Sequence, residues 1–397
     1  MGLKVLHSNE LHNKVAIIMG TRPGIVKMAP VYKQLVNDGV DAFIIHTGQH
    51  YSNNMDANFF KILGLPEPLV RVNETKNYKT HAEQTSEMLR GVEAALLDIR
   101  PKVVLVCGDA NTNLAAGLAA RKLGMVVGHV EAGLRSHDWT MPEEHNRIIL
   151  DHICELLFAP TKSSEDNLIR DNVRGQIFVT GNTIVDSTIE NYKVACGVSY
   201  DEYEAKKYIL LTCHREENVD NKDRLIKILK GASEVSREMC MPVVFPAHPR
   251  TKMRIEEFGL QEYVKNSDYL NIVEPFDFHE FLYRIANAKV VLTDSGGIQE
   301  EACVLKTPCV TLRDNTERPE TLEVGSNVLS GVETDVIKEQ AIKMSCVSLE
   351  WDNPYGDGTA SQKISNVVKD VLINGVELVD VNVKHRMRAL EDECEKR

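Results

Sequence analysis

Residues 14–24 read Lys-Val-Ala-Ile-Ile-Met-Gly-Thr-Arg-Pro-Gly, an apolar and partly β-branched run that ends in a glycine-containing loop. Helical periodicity begins directly after this loop, so the segment predicts a buried strand, a tight turn and a helix. Further runs of this kind, each followed by helical periodicity, lie at 42–47, 103–109, 125–131, 156–161 and 177–180. This alternation is typical of a parallel sheet with helices on its faces.

A second series of strand-like runs follows, at 208–214, 242–248, 269–274, 290–294 and 309–313. The simplest interpretation is an α/β protein of two Rossmann-like, doubly wound domains. We predict an N-terminal domain over 1–187, a C-terminal domain over 188–365, and a C-terminal helix with a charged tail over 366–397. An amphipathic stretch at 361–373 is expected to cross back onto the first domain. Ligands bind beyond the carboxyl ends of such strands, so we expect the two domains to face a cleft.

Composition limits the class of protein. The 397 residues include 46 Lys and Arg against 58 Asp and Glu, for a formal net charge of -12. This acidic balance argues against a nucleic-acid partner. The apolar runs are far shorter than the ~20 residues of a spanning helix, and residues 1–10 contain no hydrophobic signal segment. The nine cysteines include no Cys-x-x-Cys pair. We therefore expect a cytoplasmic protein with reduced thiols and no membrane partner.

Basic residues gather where the first helix is predicted to begin. Arg22 and Lys27 lie near the N–H groups of a helix N-terminus, which attract anions. The loop matches neither the GxxxxGK[ST] nor the GxGxxG phosphate-binding pattern. The segment predicts an anion site, and the alternative is an ordinary strand-to-helix turn with solvated basic side chains.

A second glycine-containing loop reads Thr-Asp-Ser-Gly-Gly-Ile-Gln-Glu-Glu at 293–301. Its two glycines would let backbone N–H groups approach a phosphate. The glutamates also have a simpler interpretation, since acids near a helix start complement the helix dipole. Arg313 and Arg318 follow closely and would neutralise phosphate charge, unless they belong to a solvated charged loop.

Carboxylates follow two neighbouring strands. Asp109 and Glu131 close adjacent runs, and Glu143 and Glu144 begin a predicted helix. Crowded carboxylates raise one another's pKa and can divide the duties of acid and base. The alternatives are that Asp109 caps its helix and that the two glutamates are ordinary first-turn acids.

His214 opens the first loop of the second series, within Cys-His-Arg-Glu-Glu at 213–217. Histidine is well suited to stabilise or protonate a leaving group near neutral pH, although a structural histidine is the alternative. No pattern such as HExxH indicates a metal site, so we expect neither a metal nor a redox cofactor.

Together these segments resemble the non-hydrolysing UDP-N-acetylglucosamine 2-epimerases. The resemblance spans about residues 14–365. It is carried by Gly-Thr-Arg-Pro at 20–23, Thr-Gly-Gln-His at 47–50, His-Val-Glu-Ala-Gly-Leu-Arg at 129–135, Pro-Glu-Glu at 142–144, Gly-Asn-Thr at 181–183, His-Arg-Glu-Glu-Asn at 214–218, Asp-Ser-Gly-Gly at 294–297, Gln-Glu-Glu at 299–301 and Arg-Asp-Asn-Thr-Glu-Arg-Pro-Glu at 313–320.

The resemblance implies a glycosyltransferase-B-like fold and a homodimer. It also implies reversible epimerisation at C2 of UDP-N-acetylglucosamine to UDP-N-acetylmannosamine, by elimination and re-addition of UDP through a 2-acetamidoglucal. Such a product would feed polysaccharide or glycan synthesis. The N-terminal domain would then carry the catalytic carboxylates, and the C-terminal domain would bind UDP.

Site residues follow from the same resemblance where the residues match. The catalytic carboxylates would be Asp109, Glu131 and Glu143, of which Asp109 and Glu131 also contact the substrate. The remaining positions would bind the nucleotide: Arg22, Lys27, His214, Ser295, Gly296 and Gly297 the diphosphate, Glu301 the ribose, Arg318 the phosphates and Phe281 the uracil surroundings. His214 is also counted among the catalytic residues.

Some features leave other functions open. Gly24 stands where many family members have Glu, so any role of that carboxylate is absent or moved. Relatives that act on UDP-diacetamido uronic acids share the His-Pro-Arg-Thr found at 248–251. The alternatives are therefore an epimerase for such a sugar, or a hydrolysing epimerase that releases N-acetylmannosamine and UDP. A retaining glycosyltransferase and a non-catalytic nucleotide-sugar module are more distant alternatives.

Overall fold

A computed structural model describes residues 6–48, 59–72, 80–200, 202–265, 267 and 270–376. They divide into two compact units. The first unit holds the described residues up to Ser187 and those from Tyr355 onward, and the second runs from Thr188 to Pro354. Three predicted features fall outside the described residues, namely positions 49–50 of the Thr-Gly-Gln-His segment, the start of the 269–274 run and the charged tail.

The first unit contains a sheet of seven parallel strands in the order β3-β2-β1-β4-β5-β6-β7. Its central strands are almost wholly buried, which explains their continuous apolar runs. The strands are β1 His12–Met19, β2 Ala42–His46, β3 Val70–Arg71, β4 Pro101–Cys107, β5 Val126–Val130, β6 Leu156–Ala159 and β7 Gln176–Val179.

The second unit contains a parallel sheet of six strands in the order β10-β9-β8-β11-β12-β13. The second sheet has the 3-2-1-4-5-6 order of a Rossmann fold, and the first sheet has the same order with a seventh strand added at its edge, so each has a switch point beside its first strand. The predicted α/β class of two Rossmann-like domains is confirmed. The strands are β8 Ile209–Thr212, β9 Val243–Pro246, β10 Leu270–Val273, β11 Val290–Thr293, β12 Cys309–Thr311 and β13 Asn327–Leu329.

Helices connect the strands, and several begin at side-chain caps that the sequence supplies. Thr80, for example, forms a capping box with Glu83. The helices from the first half of the chain are α1 Arg22–Asn37, α2 His81–Ile99, α3 Asn111–Lys122, α4 Pro142–Ile153, α5 Lys162–Arg170 and α6 Thr183–Ala195. The later ones are α7 Glu216–Val219, α8 Lys222–Met239, α9 Pro249–Glu257, α10 Gln261–Lys265, α11 Phe278–Asn287, α12 Gly296–Val304, α13 Pro319–Glu323, α14 Thr334–Met344 and α15 Ala360–Asn374. In the described part of the chain, no helix combines the length and apolarity that a membrane crossing needs.

The last described helix, α15, is anchored on the first unit. Asp186 accepts hydrogen bonds from the backbone N–H groups of Ala360 and Ser361, at 3.3 and 2.9 Å, and so caps the helix. Asp38, at the end of α1, accepts a bond from Ser365 Oγ at 2.7 Å. The expectation that this amphipathic stretch crosses back onto the first domain is confirmed. The predicted end of the second domain at residue 365 falls inside this helix.

Candidate active site

The carboxyl edge of the first sheet carries Asp109 and Glu131, which follow β4 and β5. The backbone turns sharply at both places, with φ of 75° at Gly108 and 71° at Glu131. A left-handed conformation is uncommon for glutamate and costs on the order of 1–3 kcal/mol, which the surrounding structure must offset. A Cβ added to Gly108 would lie 3.2 Å from Oε2 of Glu131. The Glu131 carboxylate therefore lies against the turn that carries Asp109.

Two donors hold the other oxygen of the Glu131 carboxylate. Lys27 Nζ lies 2.5 Å from Oε1, and Asn182 Nδ2 lies 3.2 Å from it. All three side chains are buried, so the ion pair has little competition from water. The sequence assigned Lys27 to a diphosphate, whereas the structure places its ammonium group on a carboxylate. A contact of Lys27 with phosphate stays a prediction.

Asp109 is held by an arginine that the sequence analysis did not identify. Arg147 Nη2 and Nε lie 2.6 and 2.9 Å from Oδ2 of Asp109, and Asn146 Nδ2 donates to the Asp109 carbonyl oxygen at 2.7 Å. The cap of α3 is Ala110, so the alternative that Asp109 is a helix cap is wrong. Asp109 is half-buried and held in place by a charged partner.

Glu144 completes this ionic network from the first turn of α4. It accepts a bond from Arg147 Nη1 at 2.6 Å and further bonds from the backbone N–H groups of Ser136 and His137. Burial alone would raise the pKa of Glu144, but these donors outweigh burial and lower the pKa. For the basic Arg147 the effects are reversed: burial alone would lower its pKa, but the neighbouring Asp109 and Glu144 carboxylates raise the pKa. The spacing of three residues between Glu144 and Arg147 places them on one helix face, a signal that the sequence offered.

Glu143 differs from its neighbour Glu144. It is half-buried, and the described residues provide it with no hydrogen bond or ion pair. Both glutamates lie in the first turn of α4, as the simpler interpretation of this segment holds. The catalytic role expected for Glu143 stays a prediction.

A buried network of His129, Asp151 and Arg135 contacts the backbone of the turn at Gly108, next to Asp109. The His129 ring lies fully buried between Asp151, at 2.7 Å from Nδ1, and the Gly108 carbonyl oxygen, at 3.1 Å from Nε2. Asp151 also forms an ion pair with Arg135 at 2.8 Å. The His-Val-Glu-Ala-Gly-Leu-Arg segment therefore contributes the candidate catalytic Glu131 and two side chains, His129 and Arg135, of the network beside the Gly108 turn.

The first basic loop adopts the predicted turn. Thr21 caps α1 by accepting a bond from the Gly24 N–H at 3.3 Å, and Arg22 is exposed at the first position of the helix. Any Cβ at Gly20 would lie 2.2 Å from Oγ1 of both Thr47 and Thr112, so only glycine fits there. The helix start is thus rigidly placed, and anion binding by Arg22 stays a prediction.

In the second unit, Asp294 organises the loop that carries His214. Asp294 is fully buried and accepts bonds from the backbone N–H groups of His214 and Arg215, at 3.1 and 3.0 Å. His214 Nδ1 lies 3.3 Å from Oδ1 of the same carboxylate, and its side chain is 47% exposed. The imidazole is therefore held at one nitrogen while its ring faces solvent in this unit.

The second glycine-containing loop leads into α12, where Ser295 is the cap and Gly296 and Gly297 are the first two helical residues. These residues are half-buried, and a Cβ on Gly297 would meet no described atom within 4 Å. The first N–H groups of a helix have no partner within it, which suits this position to an anion. The loop leads from a strand into a helix as predicted, and phosphate binding there stays a prediction.

The glutamates of this loop lie beyond the first turn of α12, so the dipole interpretation does not account for them. Glu300 is fully buried and forms an ion pair with Arg318 at 2.6 Å. Glu301 is 9% exposed. The family resemblance assigned Arg318 to nucleotide phosphates, whereas in the structure its guanidinium group is paired with the Glu300 carboxylate. The predicted contacts of Glu301 with ribose and of Arg318 with phosphate stay predictions.

Two further groups surround this loop. Arg313 is buried and forms an ion pair with Glu317 at 2.8 Å, so its charge is balanced within the protein. Burial would raise the pKa of Glu317, but Arg313 and its neighbours lower the pKa to about 2. Phe281, on α11, is half-buried and belongs to an apolar cluster that includes Phe276. Its predicted place beside uracil stays a prediction.

Two Rossmann-ordered sheets, with carboxylates at the carboxyl edge of one and an open helix start at the other, define a glycosyltransferase-B-like α/β enzyme. A family model described as UDP-N-acetylglucosamine 2-epimerase matches residues 33–369. The UDP-N-acetylglucosamine 2-epimerase of Methanococcus maripaludis is 46% identical over 362 residues, which are 89% of this chain and 98% of that protein. The chain belongs to the UDP-N-acetylglucosamine 2-epimerase family.

Two further comparisons describe the similarity. The crystal structure of the Methanocaldococcus jannaschii UDP-GlcNAc 2-epimerase, in complex with UDP-GlcNAc and UDP, aligns with a TM-score of 0.83 at 47% identity. The alignment covers 90% of this chain and 99% of that one. The UDP-2,3-diacetamido-2,3-dideoxy-D-glucuronate 2-epimerase of Pseudomonas aeruginosa is 37% identical over 360 residues, 89% of this chain and 98% of that protein.

Proposed function

We propose that this protein interconverts UDP-N-acetylglucosamine and UDP-N-acetylmannosamine without hydrolysis. Family membership supports the reaction class. The observation that carries the mechanism is the Glu131 carboxylate, which is buried, paired with Lys27, and turned with Oε2 toward the Asp109 turn. An ammonium group at 2.5 Å favours the ionised carboxylate, which is the form that can accept a proton.

The order of steps follows from the acidity of C2. The C2 hydrogen of an N-acetylhexosamine is not adjacent to a carbonyl group, so a carboxylate cannot remove it directly. Ionisation of the bond between C1 and the UDP oxygen gives C1 oxocarbenium character and acidifies the C2 hydrogen. Loss of that proton yields 2-acetamidoglucal and UDP. Re-addition of UDP, with protonation on the opposite face of C2, inverts that centre.

This scheme needs two groups that handle protons and several that stabilise the leaving diphosphate. We assign C2 proton transfer to Glu131 and Asp109, with Glu143 orienting the substrate or sharing a proton. We assign the diphosphate to Arg22, His214 and the start of α12. One well-placed donor stabilises a developing oxyanion by roughly 3 kcal/mol. The remaining proposed contacts are those of Lys27 and Arg318 with phosphate, of Glu301 with the ribose and of Phe281 with the uracil.

We propose a cytoplasmic homodimer whose product serves polysaccharide or glycan synthesis. The described cysteines are free thiols, which is the state that a reducing compartment maintains. UDP-N-acetylglucosamine is preferred as substrate because the relative named for it is 46% identical, against 37% for the one named for a diacetamido uronic acid.

The experiment is incubation of the protein with UDP-N-acetylglucosamine in heavy water, followed by NMR at C2. The proposal expects deuterium at C2 of nucleotide-linked sugar and formation of UDP-N-acetylmannosamine. Free N-acetylmannosamine would indicate a hydrolysing epimerase instead. Unchanged substrate, together with exchange on the diacetamido uronic acid, would indicate the other sugar.

A variant tests the assignment of the base. Glu131→Gln removes the charge that accepts the proton, so we expect C2 exchange to fall at least about 1,000-fold while UDP binding is retained. Glu155→Gln is the matched control, because Glu155 is a buried glutamate of the same unit that is paired with Arg121. Undiminished exchange in Glu131→Gln would remove Glu131 from the base role.

A further inference from the structure

Asn182 is a buried residue, 3% exposed, that lies between β7 and α6. Its side chain uses both ends. Oδ1 accepts a hydrogen bond from the Ile184 N–H at 3.1 Å, and Nδ2 donates to Oε1 of Glu131 at 3.2 Å. The backbone N–H of Ile184 can only donate, so it requires Oδ1 on its side. The amide group must therefore present its N–H to the carboxylate.

The backbone of Asn182 is fixed independently of its side chain. Its N–H donates to the Tyr355 carbonyl oxygen at 2.8 Å, where the chain re-enters the first unit. The preceding Gly181 has φ of 90°, and a Cβ there would lie 2.8 Å from the same carbonyl oxygen. Only glycine permits this approach without strain. The segment is therefore anchored at the backbone as well as through the side-chain cap of α6.

Lys27 and Asn182 contribute differently to the Glu131 carboxylate. An ammonium group on a flexible four-carbon stem supplies charge, but it does not fix the rotation of its partner. A planar amide anchored at both its backbone and its oxygen supplies a donor in a fixed direction. Both donors meet Oε1, which leaves Oε2 on the side of Gly108 and Asp109. The two carboxylate oxygens thus have different environments.

We infer that Asn182 is a positioning residue that commits Oε2 of Glu131 to proton transfer at C2. This inference rests on the proposed function and names the oxygen that performs it. The amide holds Oε1 and sets the plane of the carboxylate, while Lys27 maintains its charge. Removing the amide leaves the charge pair with Lys27 in place and takes away a donor that helps to set the plane of the carboxylate.

Asn182→Ser separates this role from that of the cap. A serine hydroxyl is a good helix cap and can still accept from the Ile184 N–H, but it is too short to reach Glu131. We expect kcat for C2 exchange in heavy water to fall about 10- to 100-fold, with KM changed by less than about twofold. The acidic limb of the rate–pH profile moves to higher pH, because the carboxylate has lost a donor that favours its ionised form.

Asn182→Asp is the second variant. It retains the cap oxygen and places a carboxylate where the donor stood, so the acidic limb moves further in the same direction. Asn167→Ser is the matched control, because Asn167 is a half-buried asparagine of the same unit that donates to the Gly133 carbonyl oxygen at 3.0 Å. Its kcat and pH profile should equal those of the wild type.

The outcomes separate the inference from the function on which it rests. A wild-type protein without C2 exchange refutes the proposed function. A wild type that exchanges, beside an Asn182→Ser variant with unchanged kcat and pH profile, overturns the inference alone. A variant that loses thermal stability and kcat together, with an unmoved acidic limb, shows a structural role and also overturns it.

Discussion

Arg147 joins two carboxylates at the edge of the first sheet, and Arg147→Lys tests whether its shape matters as well as its charge. The guanidinium donates twice to Oδ2 of Asp109 and once to Glu144. A lysine ammonium is a single point that keeps the charge but cannot span both partners in this geometry. The change therefore removes the bidentate contact while leaving the net charge of the site unaltered.

The expected magnitude follows from the number of bonds lost. Two of three charge-assisted hydrogen bonds disappear, at ~1.5 kcal/mol each, so the free energy of unfolding falls by about 3 kcal/mol. Asp109 also loses the contact that fixes its orientation. A displacement of about 1 Å at a reacting group costs on the order of 100-fold in rate, so we expect C2 exchange to fall by about that factor.

The assay combines C2 exchange in heavy water, UDP binding by calorimetry and unfolding in urea. UDP binding should stay within about twofold of the wild type, because the proposed nucleotide contacts do not include Arg147. Arg121→Lys is the control, since Arg121 pairs with Glu155 at 2.7 Å in the same unit and is 39% exposed. Exchange within about threefold of the wild type in Arg147→Lys would refute the positioning of Asp109 by Arg147.

Two further predictions concern stability. Burial lowers the pKa of His46 to about 4, whereas an unfolded histidine titrates near 6.5, so the unfolded chain takes up a proton first as the pH falls. The free energy of unfolding should therefore decline by up to about 3 kcal/mol as the pH falls from 6.5 to 4. His46→Gln should lose this pH dependence, while the control His152→Gln, at an exposed histidine, should keep it. The same pH dependence in both variants would contradict the role of His46. Asp186→Ala removes the cap of α15 and should cost about 1–2 kcal/mol, with faster amide hydrogen exchange in that helix. Asp370→Ala, on the exposed face of the same helix, is the control, and equal exchange in both variants would argue against capping by Asp186.

The sequence predicted most of the sheet architecture, because buried parallel strands are continuous apolar runs and the loops that follow them share one edge. The short β3 and β13, of two and three residues, were missed because a segment of that length has no periodicity. Asp109 and Glu131 could be grouped from their strands alone. Their proximity at the sheet edge follows from the parallel arrangement of β4 and β5.

The partners of the candidate catalytic groups could not be predicted in the same way. Lys27 and Glu131 are 104 positions apart, and no local pattern links an ammonium to a carboxylate over that distance. Asn182 was recognised only as part of a family segment, without a role. Arg147 was within reach of the sequence, since its helical spacing from Glu144 indicates a shared face. The amphipathic pattern predicted that one face of α15 is buried. It could not predict that Asp38 and Asp186 hold this helix, because those contacts depend on the tertiary structure.

The path of the chain through the two units affects the order in which they can fold during synthesis. Residues 188–354 form one uninterrupted stretch, so this unit is complete as soon as it leaves the ribosome. The first unit is discontinuous, because Asp38 and Asp186 meet α15 only after all of the intervening chain has been translated. The first unit is therefore the first to be synthesised and the last to be completed. A nascent chain stalled before residue 355 would contain Glu131 but would lack the Tyr355 carbonyl oxygen that anchors Asn182.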